Sequence, residues 1–191
     1  MHKINLYIKK MQAIEALNTR RSVRNFDPTF VIPKEDLDKI INAALNSPSA
    51  INLQEHDLIV ITNKEKIAQV DKTVFPICPP AFQERFKKRQ QEFGTINPVT
   101  YDCSALILIV ENERVQEKWG NLDAGILSMG IMVAAEGLGY HSVALGIIAI
   151  PEVEKLFGLN KKLVLGVALG KAKEKVNIHP KENLRKVNYI E

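Results

Sequence analysis

The stretch from Gly120 to Leu138 constrains this chain more than any other. It is the most apolar run in the 191 residues, yet it carries Asn121, Asp123 and Glu136 and three internal glycines, Gly125, Gly130 and Gly137. A membrane span of that length would have to bury those charges in hydrocarbon, so the run reads instead as a buried helix over Leu122 to Gly137. Its small residues (Ala124, Gly125, Ser128, Gly130, Ala134, Ala135) let backbones approach closely. That predicts a central helix, packed against its counterpart in another subunit. Gly137 and Gly139 supply the helix stop.

The flanking pattern is of mixed type. Met11 to Asn18 reads as a short helix, with Met11, Ile14 and Leu17 at helical spacing, and Thr19 to Phe26 reads as extended chain. After Pro33, the residues Leu37, Ile40, Ile41, Ala44 and Leu45 fall at i, i+3, i+4, i+7 and i+8 of an amphipathic helix that stops at Ser47-Pro48. Strands are predicted at Leu58 to Ile61, Ala105 to Val110, Ser142 to Ile148 and Leu163 to Leu169. Helices are predicted at Lys64 to Asp71, capped by Thr62 or Asn63, and at Pro151 to Phe157. Residues 74–103 are punctuated by Pro76, Pro79, Pro80, Gly94 and Pro98 around a charged helix, Ala81 to Phe93, with Phe82, Phe86 and Phe93 on one face. This segment reads as an excursion from the core, in the manner of a lid. The whole is an α+β chain of one domain with a mixed sheet flanked by helices.

Charge and cysteine content narrow the function. The net charge is +4, but both ends are basic: Lys3, Lys9, Lys10, Arg20, Arg21 and Arg24 stand against Glu15 alone, and Lys171, Lys173, Lys175, Lys181, Arg185 and Lys186 against Glu174, Glu182 and Glu191. Aromatic residues make up only 6% and do not interleave with these clusters, which argues against nucleic-acid binding and for a small anion such as a phosphate. Cys78 and Cys103 have no CxxC or zinc spacing, and His2, His56, His141 and His179 are scattered, so no metal site is expected. The N-terminus lacks the apolar region of a signal peptide, and a cytoplasmic, reduced protein is the expectation. There is no GxGxxG after a strand, no GxxxxGK[ST], no HExxH and no GxSxG. In an enzyme of this composition the hard chemistry would belong to a cofactor.

Two segments carry the positive signal. In Arg20-Arg21-Ser22-Val23-Arg24-Asn25-Phe26, an extended backbone places Arg20, Ser22 and Arg24 on one face. Two guanidinium forks and a hydroxyl suit a phosphate and the polar edge of a heterocycle, although a solvated basic loop would look the same. In Ser47-Pro48-Ser49-Ala50-Ile51-Asn52-Leu53-Gln54, a tight turn presents Asn52 and Gln54 amides; a plain helix-to-strand connector is the alternative.

Taken together, RRSVRxF, then SPSxxNxQ, then a hydrophobic strand resemble the nitroreductase family of FMN-dependent oxidoreductases. The resemblance extends through Asn121-Leu122-Asp123-Ala124-Gly125, Ala134 to Gly139, Pro151-Glu152-Val153 and Leu156 to Leu159, up to Leu169-Gly170. It implies a single nitroreductase-like domain over residues 1–191: a mixed, mainly antiparallel sheet flanked by helices, built as an intertwined homodimer with FMN at the interface. Residues 74–103 would be the covering excursion and 171–191 a tail reaching the partner subunit. The resemblance also implies cofactor contacts from Arg20, Arg21, Ser22 and Arg24, and from Pro48, Ser49, Ala50, Asn52 and Gln54 of the partner. Leu145 and Gly146 would approach the flavin ring, and Lys181 and Arg185 the phosphate.

Two departures stand out: Glu55-His56 replace the Pro-Trp common in the family, and Asn183 replaces a tail Arg. The implied reaction passes hydride from NAD(P)H through FMN to a nitroaromatic or quinone by a ping-pong route, with no side chain as obligate acid or base. Other flavin chemistry, such as dehalogenation or dehydrogenation, and a non-enzymatic flavin carrier are the alternatives. Neither nucleic acid nor membrane is an expected partner.

Overall fold

Every residue from Ala105 to Val110 is almost fully excluded from solvent, and this run decides the architecture. In the computed structural model, which describes residues 13–173 and 182–190, it forms β2 (Ala105–Glu111) inside a four-stranded sheet. The other strands are β1 (His56–Ile61), β3 (His141–Leu145) and β4 (Leu163–Gly170), in the order β1-β2-β4-β3 with every neighbouring pair antiparallel. The register pairs Leu58 with Ile109, Ile107 with Val167, and Ala144 with Val167. The four-stranded sheet is antiparallel throughout, and an isolated parallel bridge, Ser22 to Ser142, lies outside its strands.

Side chains alternate across β2, so each face builds its own core. Leu106, Leu108 and Val110 meet Val70, Phe86 and Ile148 on one side, whereas Ala105, Ile107 and Ile109 meet Ile40, Ile131 and Ala135 on the other. The first core is covered by α3 (Lys64–Val74), α4 (Pro80–Phe93) and α6 (Pro151–Leu156). The second is covered by α2 (Lys34–Leu45) and α5 (Gly120–Gly137), with α1 (Ala13–Thr19) lying against α5. Burying one such aliphatic side chain contributes about 1.5–3 kcal/mol, which is why a strand covered on both faces anchors the fold. Among the described residues no helix is long and apolar enough to cross a membrane.

The predicted elements recur with adjusted ends. The first helix runs Ala13–Thr19, and Met11, expected to start it, lies outside the described residues. Asn63, not Thr62, caps α3 by accepting the Lys66 N–H at 2.8 Å, and α3 continues to Val74. The strand expected to reach Ile148 ends at Leu145, and Gly146–Ile148 form a 3-10 turn instead. Ile148 is fully buried in that turn, so packing overrides the β-branched local preference. Gly170 ends β4 where a Cβ would approach the Phe26 ring to 2.9 Å; this close contact seats Phe26, itself fully buried, on the sheet.

Residues 74–103 are less detached than an excursion. Phe86, Val99, Tyr101 and Cys103 are all buried. The segment is fastened by two carboxylates. Asp102 accepts the N–H groups of Ile96 and Asn97, each at 2.8 Å. Asp71 on α3 accepts the Val99 N–H at 2.5 Å and the Thr100 hydroxyl. Cys78 and Cys103 are free and buried, and burial pushes both thiols up, leaving them unreactive.

Burial outweighs these hydrogen bonds and pushes Asp71 up to about 6. The native state then holds this proton more tightly than the unfolded chain, where the carboxyl titrates near 3.8. The resulting stabilisation is complete below the unfolded value and is lost as pH rises through the native one. Asp71→Asn removes this titration. Urea denaturation is therefore expected to show a larger penalty for the substitution near pH 4 than above pH 6; a penalty independent of pH would show that the fold leaves the Asp71 carboxyl titrating as in the unfolded chain.

Candidate functional site

The basic segment after α1 is held from its apolar side. Val23 is buried and its N–H donates to the Ser142 carbonyl at 3.1 Å, while the Phe26 N–H donates to Tyr101 at 3.1 Å. The Lys173 N–H donates to Asn25 at 3.1 Å, so the chain after β4 clamps the same segment. Val23, Asn25 and Phe26 are buried and Arg20, Arg21, Ser22 and Arg24 half-buried; Phe26, which strict alternation would put on the face of Arg20, Ser22 and Arg24, turns inward instead. Arg24 donates to the Ser22 carbonyl at 3.2 Å and lines a cavity with Leu145 and Gly146, so three predicted residues meet there. Arg21 behaves differently: its Nη1 donates to the carbonyls of Asn18, Thr19 and Arg20 at 2.7–3.0 Å, closing the C-terminus of α1. The Nε atoms of Arg20 and Arg21 are buried without a hydrogen-bond partner.

The second segment lies elsewhere on the chain, between α2 and β1. At Gly130 of α5 a Cβ would fall 2.4 Å from the Ser47 hydroxyl, so only glycine lets α5 come this near the start of the loop. The Asp123 carboxylate, also on α5, accepts the Ala50 N–H at 2.8 Å. The Ser49 hydroxyl accepts the Gln54 N–H, and the Gln54 amide donates to Asn52, both at 3.0 Å. The Gln54 carbonyl in turn accepts from Asn112 at 3.0 Å and Arg114 at 2.9 Å.

This network holds an unusual backbone. Ile51, Asn52 and Gln54 all have positive φ (44°, 59° and 49°). Asn tolerates that conformation, but for a β-branched residue it costs roughly 1–2 kcal/mol. Ile51 is also 85% exposed. Strain of this kind concentrates at functional sites.

Pro48, Ser49 and Gln54 line a cavity of about 230 Å³ that shares no residue with the one at Arg24. Among the described residues, each segment therefore borders a cavity of its own. Arg185 lies in an exposed tail, where its own N–H donates to Asn183 at 3.2 Å, and Lys181 lies outside the described residues.

Three groups emerge that sequence reasoning had not placed. Glu55 is fully buried: Oε2 accepts the Gln116 N–H at 2.8 Å, while Oε1 has no partner. His56 is buried beside it, and burial lowers its pKa, so it stays neutral. Arg85 and Arg89 of α4 reach the Arg24 cavity. Their i,i+4 spacing was visible in the sequence, but it reads as a solvated face until the helix is placed. Among the described residues no group of three or more His, Cys, Asp or Glu could hold a metal ion.

The model of the nitroreductase family matches residues 17–171, and the chain belongs to that family. It is similar to the NADPH-flavin oxidoreductase of Vibrio harveyi, at 29% identity over 88% of this chain and 69% of that one. It is also similar to a CLA biosynthesis enone reductase of Lactiplantibacillus plantarum, at 26% identity over 83% and 84% of the two chains. A nitroreductase with bound FMN from Desulfitobacterium hafniense shares the fold, with a TM-score of 0.80 at 22% identity over 94% of this chain and 98% of that one.

Asp123→Ala leaves the Ala50 N–H without its charged acceptor. The expected loss is about 1.5–3 kcal/mol of stability, with faster hydrogen exchange at the Ala50 amide than in wild type. Unaltered exchange there would mean that the loop holds itself.

Proposed function

We propose that this member of the nitroreductase family, an FMN-dependent NAD(P)H oxidoreductase, works as a homodimer on nitroaromatics or quinones by a ping-pong route. The observation that carries the reading is Arg24 lining one cavity with Leu145 and Gly146, while in the same strip the buried Nε donors of Arg20 and Arg21 are unpartnered. That donor set fits a phosphorylated heterocycle: an anion for the forks and a polar ring edge for Arg24. Bound FMN would supply the two-electron chemistry, taking hydride from NAD(P)H and delivering it to the acceptor that replaces it.

The chain's own residues bind and orient. Arg20 would hold the phosphate with help from the tail cations Lys181 and Arg185, and Ser22 the sugar-alcohol chain. Arg24 would place positive charge at the pyrimidine edge, favouring a reduced, anionic ring. Arg21 contributes by fixing the end of α1 from which the strip departs. Pro48, Ser49, Ala50, Asn52 and Gln54 would close over the ring from the partner subunit.

Several observations support the dimer. The two halves of the site do not meet within one chain. On α5, Leu122 and Ile126 are 60% and 42% exposed, and Gly125 has open space before it. In the tail, Leu184, Val187, Tyr189 and Ile190 are all largely exposed, as a segment meant for another subunit would be. Residues 1–191 are read as one domain, acting in the cytoplasm. Reduction of acceptors other than nitro compounds is the second reading, favoured by the enone reductase among the relatives.

The purified protein is expected to be yellow, and anaerobic NADPH or NADH to bleach its flavin absorbance; a colourless protein indifferent to added FMN would remove the reading. Arg20→Ala is expected to weaken FMN binding by about 1.5–3 kcal/mol in a fluorescence titration, the loss of one charge-assisted hydrogen bond.

A further inference from the structure

Helix α4 sets Phe82, Arg85, Phe86 and Arg89 at i, i+3, i+4 and i+7, on one face. Phe86 is buried in the core and aims that face at the sheet, while Phe82 remains 45% exposed. Arg85 and Arg89, with Arg24, line the cavity of about 170 Å³ that is also bounded by Phe82, Tyr101 and Gly146. Arg89 is fixed there: its Nη1 donates to the Tyr101 hydroxyl at 3.1 Å, and its guanidinium carbon lies 5.9 Å from the ring centroid.

Three cations converge on a small space with nothing to balance them. No acidic residue lines the cavity. Among the described residues, no carboxylate lies within ion-pair distance of any of the three. Burial disfavours the charge on Arg89, and the Arg24 and Arg85 charges act in the same direction. Guanidinium groups nevertheless stay charged in proteins, so the fold carries this repulsion until an anion relieves it. Phe82 adds an open aromatic face beside the charges.

We infer that Arg85 and Arg89, beside the Arg24 that faces the flavin ring, form a binding site for an anionic group on the electron acceptor: a carboxylate, sulfonate or phosphate carried by a small aromatic or conjugated body that rests on Phe82. The inference rests on the flavin reading of the Gly146 turn, which makes this cavity adjacent to the reacting ring. Its volume is smaller than the roughly 300–1,000 Å³ of pockets that enclose drug-sized ligands, so it takes the charged end of a small molecule rather than a whole dinucleotide.

The test compares 4-nitrobenzoate with its neutral analogue 4-nitrobenzyl alcohol, by calorimetric titration of the purified protein and by steady-state kinetics. Wild type is expected to bind the anion more tightly. Arg89→Gln, and separately the exposed Arg85→Gln, are expected to lower the anion-to-alcohol affinity ratio about tenfold, the loss of one charge-assisted contact. FMN titration of the same variants and the NADPH-to-NADH ratio of kcat/KM separate the other sources of an anion. A matching loss of FMN affinity would assign the arginines to the cofactor phosphate. A loss confined to NADPH would assign them to the dinucleotide. Either result overturns the inference, as does equal binding of the two nitro compounds by wild type. If the protein binds no FMN but still prefers nitrobenzoate in calorimetry, the flavin reading fails and the anion site stands.

Discussion

The double burial of β2 is the interaction on which the rest of the molecule depends. With apolar side chains on both faces, this strand demands cover from two helical layers, and the layers then determine where each functional segment can sit. On one face, α3, α4 and α6 leave a gap at the end of β3, where the Gly146–Ile148 turn and Arg24 come together. On the other, α2 and α5 approach closely enough at Gly130 to set the take-off of the Ser47–Gln54 loop. The two cores thus place the two segments on opposite layers of one sheet, which is the arrangement that the proposed homodimer would use.

Electrostatics divides in the same manner. The carboxylates that matter structurally, Asp71, Asp102 and Asp123, are turned inward onto backbone N–H groups, where each replaces a missing secondary-structure partner. Arg24, Arg85 and Arg89 line a cavity that no carboxylate lines, whereas Asp123, with Glu55 and Asp57, lines the one at Pro48 and Ser49. Positive charge at the first opening is the arrangement a phosphorylated cofactor and an electron-rich reduced ring both favour.

What the sequence made legible follows from the range of the interaction involved. The helix at 34–45 was readable because its five apolar positions share one face, a local property. Ala105 to Val110 was readable because nothing but a buried strand accommodates such a run. The strip Arg20–Arg24 was readable because extended chain alternates. The end of β3 differs from the expectation because Val143 to Ile148 carries no polar side chain to mark a stop, and Ile148 is buried in the core where the chain turns. Asp71 and Glu55 look like surface charges in the sequence; their burial is set by residues 28 and 61 positions away. Arg85 and Arg89 were hidden for the same reason: spacing shows that they share a face, but only the packing of Phe86 shows where that face looks.

Ile51 holds a conformation that is unfavourable for its own type, and its side chain stands almost wholly in solvent. Within its own chain it contributes nothing that glycine could not provide at lower strain. A residue in that position is answerable only to what it touches beyond the chain. Glycine there would relieve the roughly 1–2 kcal/mol of strain, and any effect beyond that would be felt only at the assembled site. Natural variation at this position, set against the steadiness expected of Gly130 or Asp123, would trace whether this exposed surface has been retuned while the scaffold beneath it stayed the same.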